Sequence, residues 1–244
     1  MELTGNTVVI TGGTSGIGRA FAGEFHRLGN KVLICGRREE RLKEVAQQFP
    51  GIITRVVDVG IEAERNSFSG WIITNHPETN IFINNAGVQY LFNFAKQADI
   101  TKVRQEVEIN LLAPLHFSSL FSAFLAEKHN GAFINISSGL AFVPLAFVPV
   151  YCATKAAIHS FTLSLRHQLK DTRVKIFEIA PPAVDTELGS ERRTDKTQTH
   201  GGMPVEEFLK EAMAALAADR YESMIGGAVG LREKNEAMFS ILNH

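Results

Sequence analysis

The chain is short of several things, and each shortage excludes something. Among its 244 residues only two are cysteine, Cys35 and Cys152. That is too few for a disulfide framework. One falls in a predicted strand and the other beside a tyrosine of interest, and both read as small buried residues. The eight histidines are scattered without ligand spacing, and no Cys/His/Asp cluster is visible along the chain, so no metal is expected. Neither sign of charge dominates, with 25 basic residues against 26 acidic ones. Without a basic stripe, no nucleic-acid partner is expected. No uninterrupted apolar run reaches the roughly 18 residues of a membrane span, so none is expected. Met1 to Thr4 has neither the basic start nor the apolar core of a signal peptide. A cytoplasmic protein is the expectation. No Pro/Ser-rich linker divides the chain, which predicts one domain over 1–244.

What is present is enough apolar material for a sizeable core, 45% of residues, arranged as alternating strands and helices. Asn6–Ile10 is a short β-branched run. Helical spacing follows at Ala20, Phe21, Phe25 and Leu28. Lys31–Cys35, Ile52–Val57, Ile81–Ile83, Ala132–Ile136 and Val174–Ile179 read as further strands. Between them, helices are predicted over Arg38–Phe49, Ile61–Thr74, Thr101–Lys128 and Tyr151–Lys170, with Pro114 a candidate kink. Pro204 starts one more helix. Strict alternation implies a parallel sheet covered on both faces, a Rossmann-like doubly wound α/β fold.

Two stretches carry chemistry. Thr11-Gly12-Gly13-Thr14-Ser15-Gly16-Ile17-Gly18 lies between the first strand and its helix. Glycines allow close backbone approach, and a helix N-terminus offers free N–H groups to a phosphate. The same loop could merely permit a tight turn. The second stretch runs from Ser137 and Ser138 to Tyr151 and Lys155. Four residues apart on a helix, Tyr151 and Lys155 share a face. A phenol has a reference pKa of roughly 10, and a nearby ammonium favours its phenolate. Ser138 is placed to hold a carbonyl oxygen for the tyrosine to protonate. Alone, a Tyr-x-x-x-Lys spacing occurs in many helices.

Together these motifs, T-G-x-x-x-G-x-G and Y-x-x-x-K, resemble the short-chain dehydrogenase/reductase family. The resemblance extends along nearly the whole chain. It includes Asp58 and Val59 after the third strand, then Asn84, Asn85, Ala86 and Gly87 after the fourth. It continues with Asn110 in a helix, Asn135 to Ser138 at the end of the fifth strand, and Pro181 to Thr186 after the sixth. One departure is Pro182 where the family usually has glycine, which removes an N–H. The Pro181–Thr186 variant is similar to that of DltE-type oxidoreductases. The resemblance implies hydride transfer between a nicotinamide and a carbonyl or secondary alcohol. It assigns Asn110, Ser138, Tyr151 and Lys155 to catalysis, Asn110 placing a relay water. It assigns Gly12, Thr14, Ser15, Gly16, Ile17, Gly18, Arg37, Arg38, Asp58, Val59, Asn85, Ala86, Gly87, Tyr151, Lys155, Pro181, Val184 and Thr186 to the nucleotide. It also implies a homodimer or homotetramer associating through the helices at Thr101–Lys128 and Tyr151–Lys170.

The end of the second strand bears on which nucleotide is used. Gly36-Arg37-Arg38 has no acid for a ribose 2′-OH. Arg37 can pair with a 2′-phosphate instead, so NADP(H) is expected before NAD(H). The alternative is a solvated arginine pair facing Glu39 and Glu40. Leu140–Pro144 repeats directly as Leu145–Pro149. This apolar run either lines a pocket for an apolar substrate body or serves as core or subunit contact. Tyr90, Phe92 and Phe94 are candidates for another wall. Residues 187–203, rich in charge, threonine and glycine, read as a substrate loop resembling a lid, or as a plain surface loop. A nucleotide-binding regulatory protein with little turnover is the competing class, since fold alone does not give function.

Overall fold

The computed structural model describes residues 1–189 and 201–243. Seven parallel strands form one sheet: β1 (Thr7–Thr11), β2 (Lys31–Gly36), β3 (Ile53–Val56), β4 (Ile81–Asn84), β5 (Ala132–Ile136), β6 (Lys175–Ala180) and β7 (Glu222–Met224). Their order across the sheet is β3-β2-β1-β4-β5-β6-β7. The order reverses between β1 and β4, which pair with Val8 opposite Ile81 and Ile10 opposite Ile83. In a sheet of this kind the crevice beyond the carboxyl ends at that reversal is where ligands bind.

Both sheet faces are covered because side chains alternate along each strand. Val8, Ile10, Val32, Ile34, Ile81, Ile83 and Ile134 point one way. They meet Phe21 and Phe25 of α1 (Gly16–Arg27), Leu42 and Val45 of α2 (Glu39–Gln48), and Phe208 and Leu216 of the helix at Val205–Ala217. Val9, Leu33, Cys35, Phe82, Phe133 and Ile176 point the other way. There they meet Phe68 and Ile72 of α3 (Glu62–Asn75) and the buried stripe Phe117, Phe121 and Leu125. Phe82 lies 5.0 Å from the Phe117 ring and 4.7 Å from that of Phe121.

That stripe belongs to a helix continuous over Ile100–Ala126. It comprises α4 (Ile100–Val107), a π turn over Glu108–Leu112, and α5 (Ala113–Ala126). The expected kink at Pro114 takes the form of this wide turn just before it. Pro114 has no N–H to close the α-type bond to the Asn110 carbonyl, and Ala113 bonds back to Glu108 instead. By length and composition the helix could cross a membrane, although no uninterrupted run had suggested one. Here its apolar stripe packs on the sheet.

α6 (Pro149–Gln168) begins with a proline at its first position, two residues earlier than expected. α7 (Val205–Ala217) starts directly after Pro204. β7, α8 (Ala228–Lys234) and α9 (Phe239–Leu242) add to the elements expected from sequence. The three residues of β7, Glu222, Ser223 and Met224, lack the β-branched signal of a strand. They pair with Glu178, Ile179 and Ala180. Asn243, just past α9, accepts from the Ala146 N–H at 2.6 Å and donates to the Pro144 carbonyl at 3.0 Å. The chain end is thereby pinned onto the repeated apolar run.

Candidate active site

The glycine loop follows β1 and is fitted against the segment after β4. Gly12 has φ +68°, and a Cβ there would stand 2.9 Å from the Ala86 Cα. Only glycine suits both the angle and the approach. The Asn85 amide donates to the carbonyls of Thr11 at 2.9 Å and Gly12 at 3.2 Å. Thr11 Oγ1 accepts from the N–H groups of Asn85 and Ala86, each at 3.1 Å. Two loops far apart in sequence are thus stitched at the reversal point. At the start of α1, Ser15 makes no side-chain cap bond, and the first turn holds no acid. Thr186 closes over Gly16, where an added Cβ would meet its side chain at 3.1 Å. Gly18 lies against Asn85, and Ile17 packs on the core.

The two arginines after β2 separate. Arg38 Nη2 donates to Ser15 Oγ at 3.0 Å and Thr14 Oγ1 at 3.4 Å, and its Nη1 pairs with Glu187 at 2.9 Å. Arg37 turns to Asp58 at 3.9 Å. Arg41 also reaches Glu187, at 3.5 Å, and Arg38 beside it holds the Glu187 carboxyl below its ordinary range. Glu39 and Glu40, the alternative partners expected for the arginines, pair with Lys43 instead. Val59 is buried, and its carbonyl accepts from Arg65 at 2.7 Å.

Asn110 sits in the π turn, 1% exposed. Its Oδ1 accepts from the Val88 N–H and its Nδ2 donates to the Val88 carbonyl, both at 2.8 Å. The amide also donates to Thr154 Oγ1 at 3.3 Å. Its side chain clamps the loop that carries Asn85, Ala86 and Gly87, a role spacing alone did not reveal. Gly87 lies close to both Asn110 and Lys155.

Ser138, after β5, accepts from Leu140 N–H at 3.1 Å, and its hydroxyl is near enough to Tyr151 to act on the phenol. Lys155 donates to the Ile136 carbonyl at 2.7 Å, with its Nζ 5.6 Å from the Tyr151 ring centre. Serine, tyrosine and lysine therefore converge as expected. The electrostatics run against expectation. Burial pushes the Tyr151 phenol up, and the nearby Ser138 hydroxyl offsets only part of this. Lys155 does not depress it. Burial lowers the lysine itself to about 8, against the raising effect of Glu178 and Glu106. A charge taken out of water is disfavoured, and at both positions that outweighs pairing.

The apolar run divides. Leu140, Leu145 and Val148 pack around Tyr151 and Cys152, while Phe147 is exposed. The Phe92 N–H donates to the Phe147 carbonyl at 3.1 Å, joining the two candidate walls. Phe94, Val107, Leu111, Pro149 and Ala153 line an open apolar groove of about 300 Å³. After β6, the Pro181 carbonyl accepts from Gly139 N–H at 2.8 Å, and Pro182 packs near Gly226. Val184 bridges Met203, so the two ends of the expected 187–203 loop are tied together. Residues 190–200 of that loop lie outside the described residues.

One cluster escaped the linear reading. His159 Nδ1 lies 2.8 Å from Glu178, and one ligand atom each of His159, Glu178 and Glu222 fall within 4.8 Å of one another. Arg232 holds Glu222 at 3.2 Å, so two bases balance two acids. The three elements involved are remote in sequence, which is why no spacing announced the cluster.

A family model described as short chain dehydrogenase matches residues 6–197. The chain is 43% identical over 243 residues to the uncharacterized oxidoreductase DltE of Bacillus subtilis, covering 99% of this chain and 96% of that one. It is 33% identical to an uncharacterized oxidoreductase of Staphylococcus epidermidis, over 74% of this chain and 78% of the other. Among solved structures, a short-chain dehydrogenase from Burkholderia cenocepacia in complex with NADP superposes with TM-score 0.82 at 25% identity, covering 96% and 94% of the two chains. One from Burkholderia phymatum in complex with NAD superposes with TM-score 0.86 at 20% identity, covering 100% and 97%. The glycine loop, the clamped Asn85 segment and the converging Ser138, Tyr151 and Lys155 are thus found in a chain that belongs to the short-chain dehydrogenase family of oxidoreductases.

Proposed function

We propose that this oxidoreductase uses NADP(H) in preference to NAD(H) to interconvert a ketone or aldehyde and an alcohol on a small molecule with an apolar body. The observation that carries the reading is the convergence of Ser138, Tyr151 and Lys155 near the glycine loop at the start of α1. Gly12 lets the loop lie against Ala86, where a Cβ would collide, and α1 beside it offers an uncapped N-terminus. Gly12 to Gly18 and Thr186 would hold the pyrophosphate of a nucleotide there, and Arg37, Arg38, Asp58 and Val59 would hold its adenosine end. Asn85, Ala86 and Gly87, with Pro181 and Val184, would hold its nicotinamide side, and Tyr151 and Lys155 would bond its ribose. When bound, the nicotinamide supplies or accepts the hydride at the carbonyl carbon.

The chain's own residues do the rest. Ser138 holds the substrate oxygen through its hydroxyl. Tyr151 gives its phenolic proton to that oxygen in reduction and takes it back in oxidation. A phenol pushed up by burial is well kept in the protonated form that reduction needs. Lys155, anchored on Ile136, presents its amine to the same space. Asn110 keeps the Val88 loop in place, and its further role in this reading is to place a relay water. Leu140, Leu145 and Phe92 favour an apolar substrate body.

The protein works in the cytoplasm as a homodimer or homotetramer, without a membrane span, a nucleic-acid partner or a metal. Exposed Leu112 and the groove beside Ala153 support association through α4, α5 and α6. The test is a screen of carbonyl compounds and secondary alcohols with NADPH, NADH and their oxidised forms, following nicotinamide absorbance. Nucleotide-dependent turnover of a carbonyl–alcohol pair supports the reading. Tight nucleotide binding with no turnover across the screen favours a regulatory protein, and better use of NADH overturns the cofactor preference.

A further inference from the structure

Glu106 has no part in the chemistry above, yet it is the one fully buried residue of α4. Its exposure is 0%. One carboxylate oxygen, Oε1, accepts from the Tyr90 N–H at 3.3 Å. The other, Oε2, is buried without a hydrogen-bond partner. A buried carboxylate left half-satisfied is costly unless a charge or a proton compensates it. Glu106 stands one helical turn before Asn110, on a helix that packs against α6, where Asn110 touches Thr154, the neighbour of Lys155. The cation that acts on Glu106 is Lys155. Glu106 in turn acts on both Lys155 and Tyr151.

We propose that Glu106 is a positioning residue of the active site, a buried carboxylate whose charge keeps Lys155 in its ammonium form and Tyr151 in its phenol form. The assignment rests on the proposed roles of those two residues. Burial brings the Glu106 carboxyl up to about 7, against the lowering effects of the Tyr90 N–H and Lys155. Above that value it is ionised and favours the charged form of Lys155. Below it Glu106 takes up a proton, and both neighbours lose that support. Other groups belong to the same field. Glu178 of β6 acts on Lys155 and is itself paired with His159, and Cys152 adjoins Tyr151. On the outer side Lys102 lies 5.5 Å from the Tyr90 ring centre, and Gln105 accepts from the Tyr90 hydroxyl at 2.8 Å.

Two measurements on the full-length protein test this. In infrared difference spectroscopy across neutral pH, the wild type should show a protonated, buried carboxyl band that disappears with a midpoint near neutrality. Glu106→Gln should lack that band, and Glu178→Gln should keep it. Glutamine preserves the shape and the acceptor for Tyr90. In NADPH titrations at several pH values, Glu106→Gln should lose affinity at a pH lower than the wild type by about half a unit or more, because Lys155 no longer has the neighbouring charge. Glu106→Asp should restore the wild-type midpoint in part. Absence of a titrating band from the wild type overturns the proposal, whether or not any variant folds. So does its survival in Glu106→Gln, or an unmoved NADPH midpoint. Failure of wild-type protein to bind NADPH would instead strike the proposed function, and the infrared arm would still judge Glu106.

Discussion

Lys155 donates its ammonium to the main-chain carbonyl of Ile136 at 2.7 Å, across the gap between α6 and the end of β5. That bond fixes the amine where the sheet ends and the crevice begins. It also keeps Lys155 buried, so that its proton is held less tightly than an exposed lysine's.

A pH dependence follows. Burial lowers Lys155 to about 8, below its value in the unfolded chain. Folding therefore disfavours its charged form, and the destabilising contribution of this site fades as pH rises from about 8 toward the unfolded value. The proposed bond of its ammonium to a nucleotide ribose has the opposite trend, strongest below about 8 and weaker above. NADPH affinity should fall as pH rises through that region. Lys155→Met should bind more weakly at neutral pH and lose that pH dependence. An unchanged profile in the variant would assign the dependence to another group.

Nucleotide choice should rest on both arginines, with Arg38 the better placed. Arg38→Ala is expected to weaken NADPH binding roughly 10- to 100-fold, since a charge-assisted hydrogen bond contributes about 1.5–3 kcal/mol. NADH binding should change little. Arg37→Ala should act in the same direction. Glu187→Gln should tighten NADPH, because it removes the acid now paired with Arg38. Equal losses for the two nucleotides would contradict a 2′-phosphate site.

Asn110→Leu should destabilise the protein by about 1–3 kcal/mol, because the Val88 N–H and carbonyl lose their partners in a partly buried setting. Denaturant midpoints and thermal unfolding report this directly. A stability change near zero would mean that the clamp on Val88 is not a structural element.

Light scattering at micromolar concentration should find a dimer or tetramer. Leu112 is 44% exposed on the apolar helix over Ile100–Ala126, so Leu112→Glu should shift the equilibrium toward monomer. A monomeric wild type would rule out the proposed association.

Much of this molecule was legible because its motifs stand at strand ends. The β-branched runs and the glycine loop announced β1 and α1, and Asn85, Ser138, Tyr151 and Lys155 fell where the alternation put them. What stayed hidden depends on contacts between distant elements. Glu106 reads as one more charge on a helix until the fold buries it. Glu178 and His159 are nineteen residues apart and meet only because α6 lies on β6. Arg37 and Arg38 are indistinguishable as letters, yet only Arg38 turns back to Thr14 and Ser15. The phenol is shifted up rather than down because burial decides it, and spacing shows the neighbouring lysine but not the depth of burial. β7 was missed because its pairing with β6, rather than its residue types, makes it a strand.

The central claim is that Tyr151 moves the substrate's proton, and Tyr151→Phe tests it most directly. The ring and its packing against Leu140, Leu145 and Val148 are retained, and only the hydroxyl is lost. With a substrate from the carbonyl and alcohol screen, kcat should fall at least about 100-fold, the low end of what acid–base catalysis contributes, while the NADPH Kd stays within about twofold. Near-normal kcat in Tyr151→Phe would contradict the account.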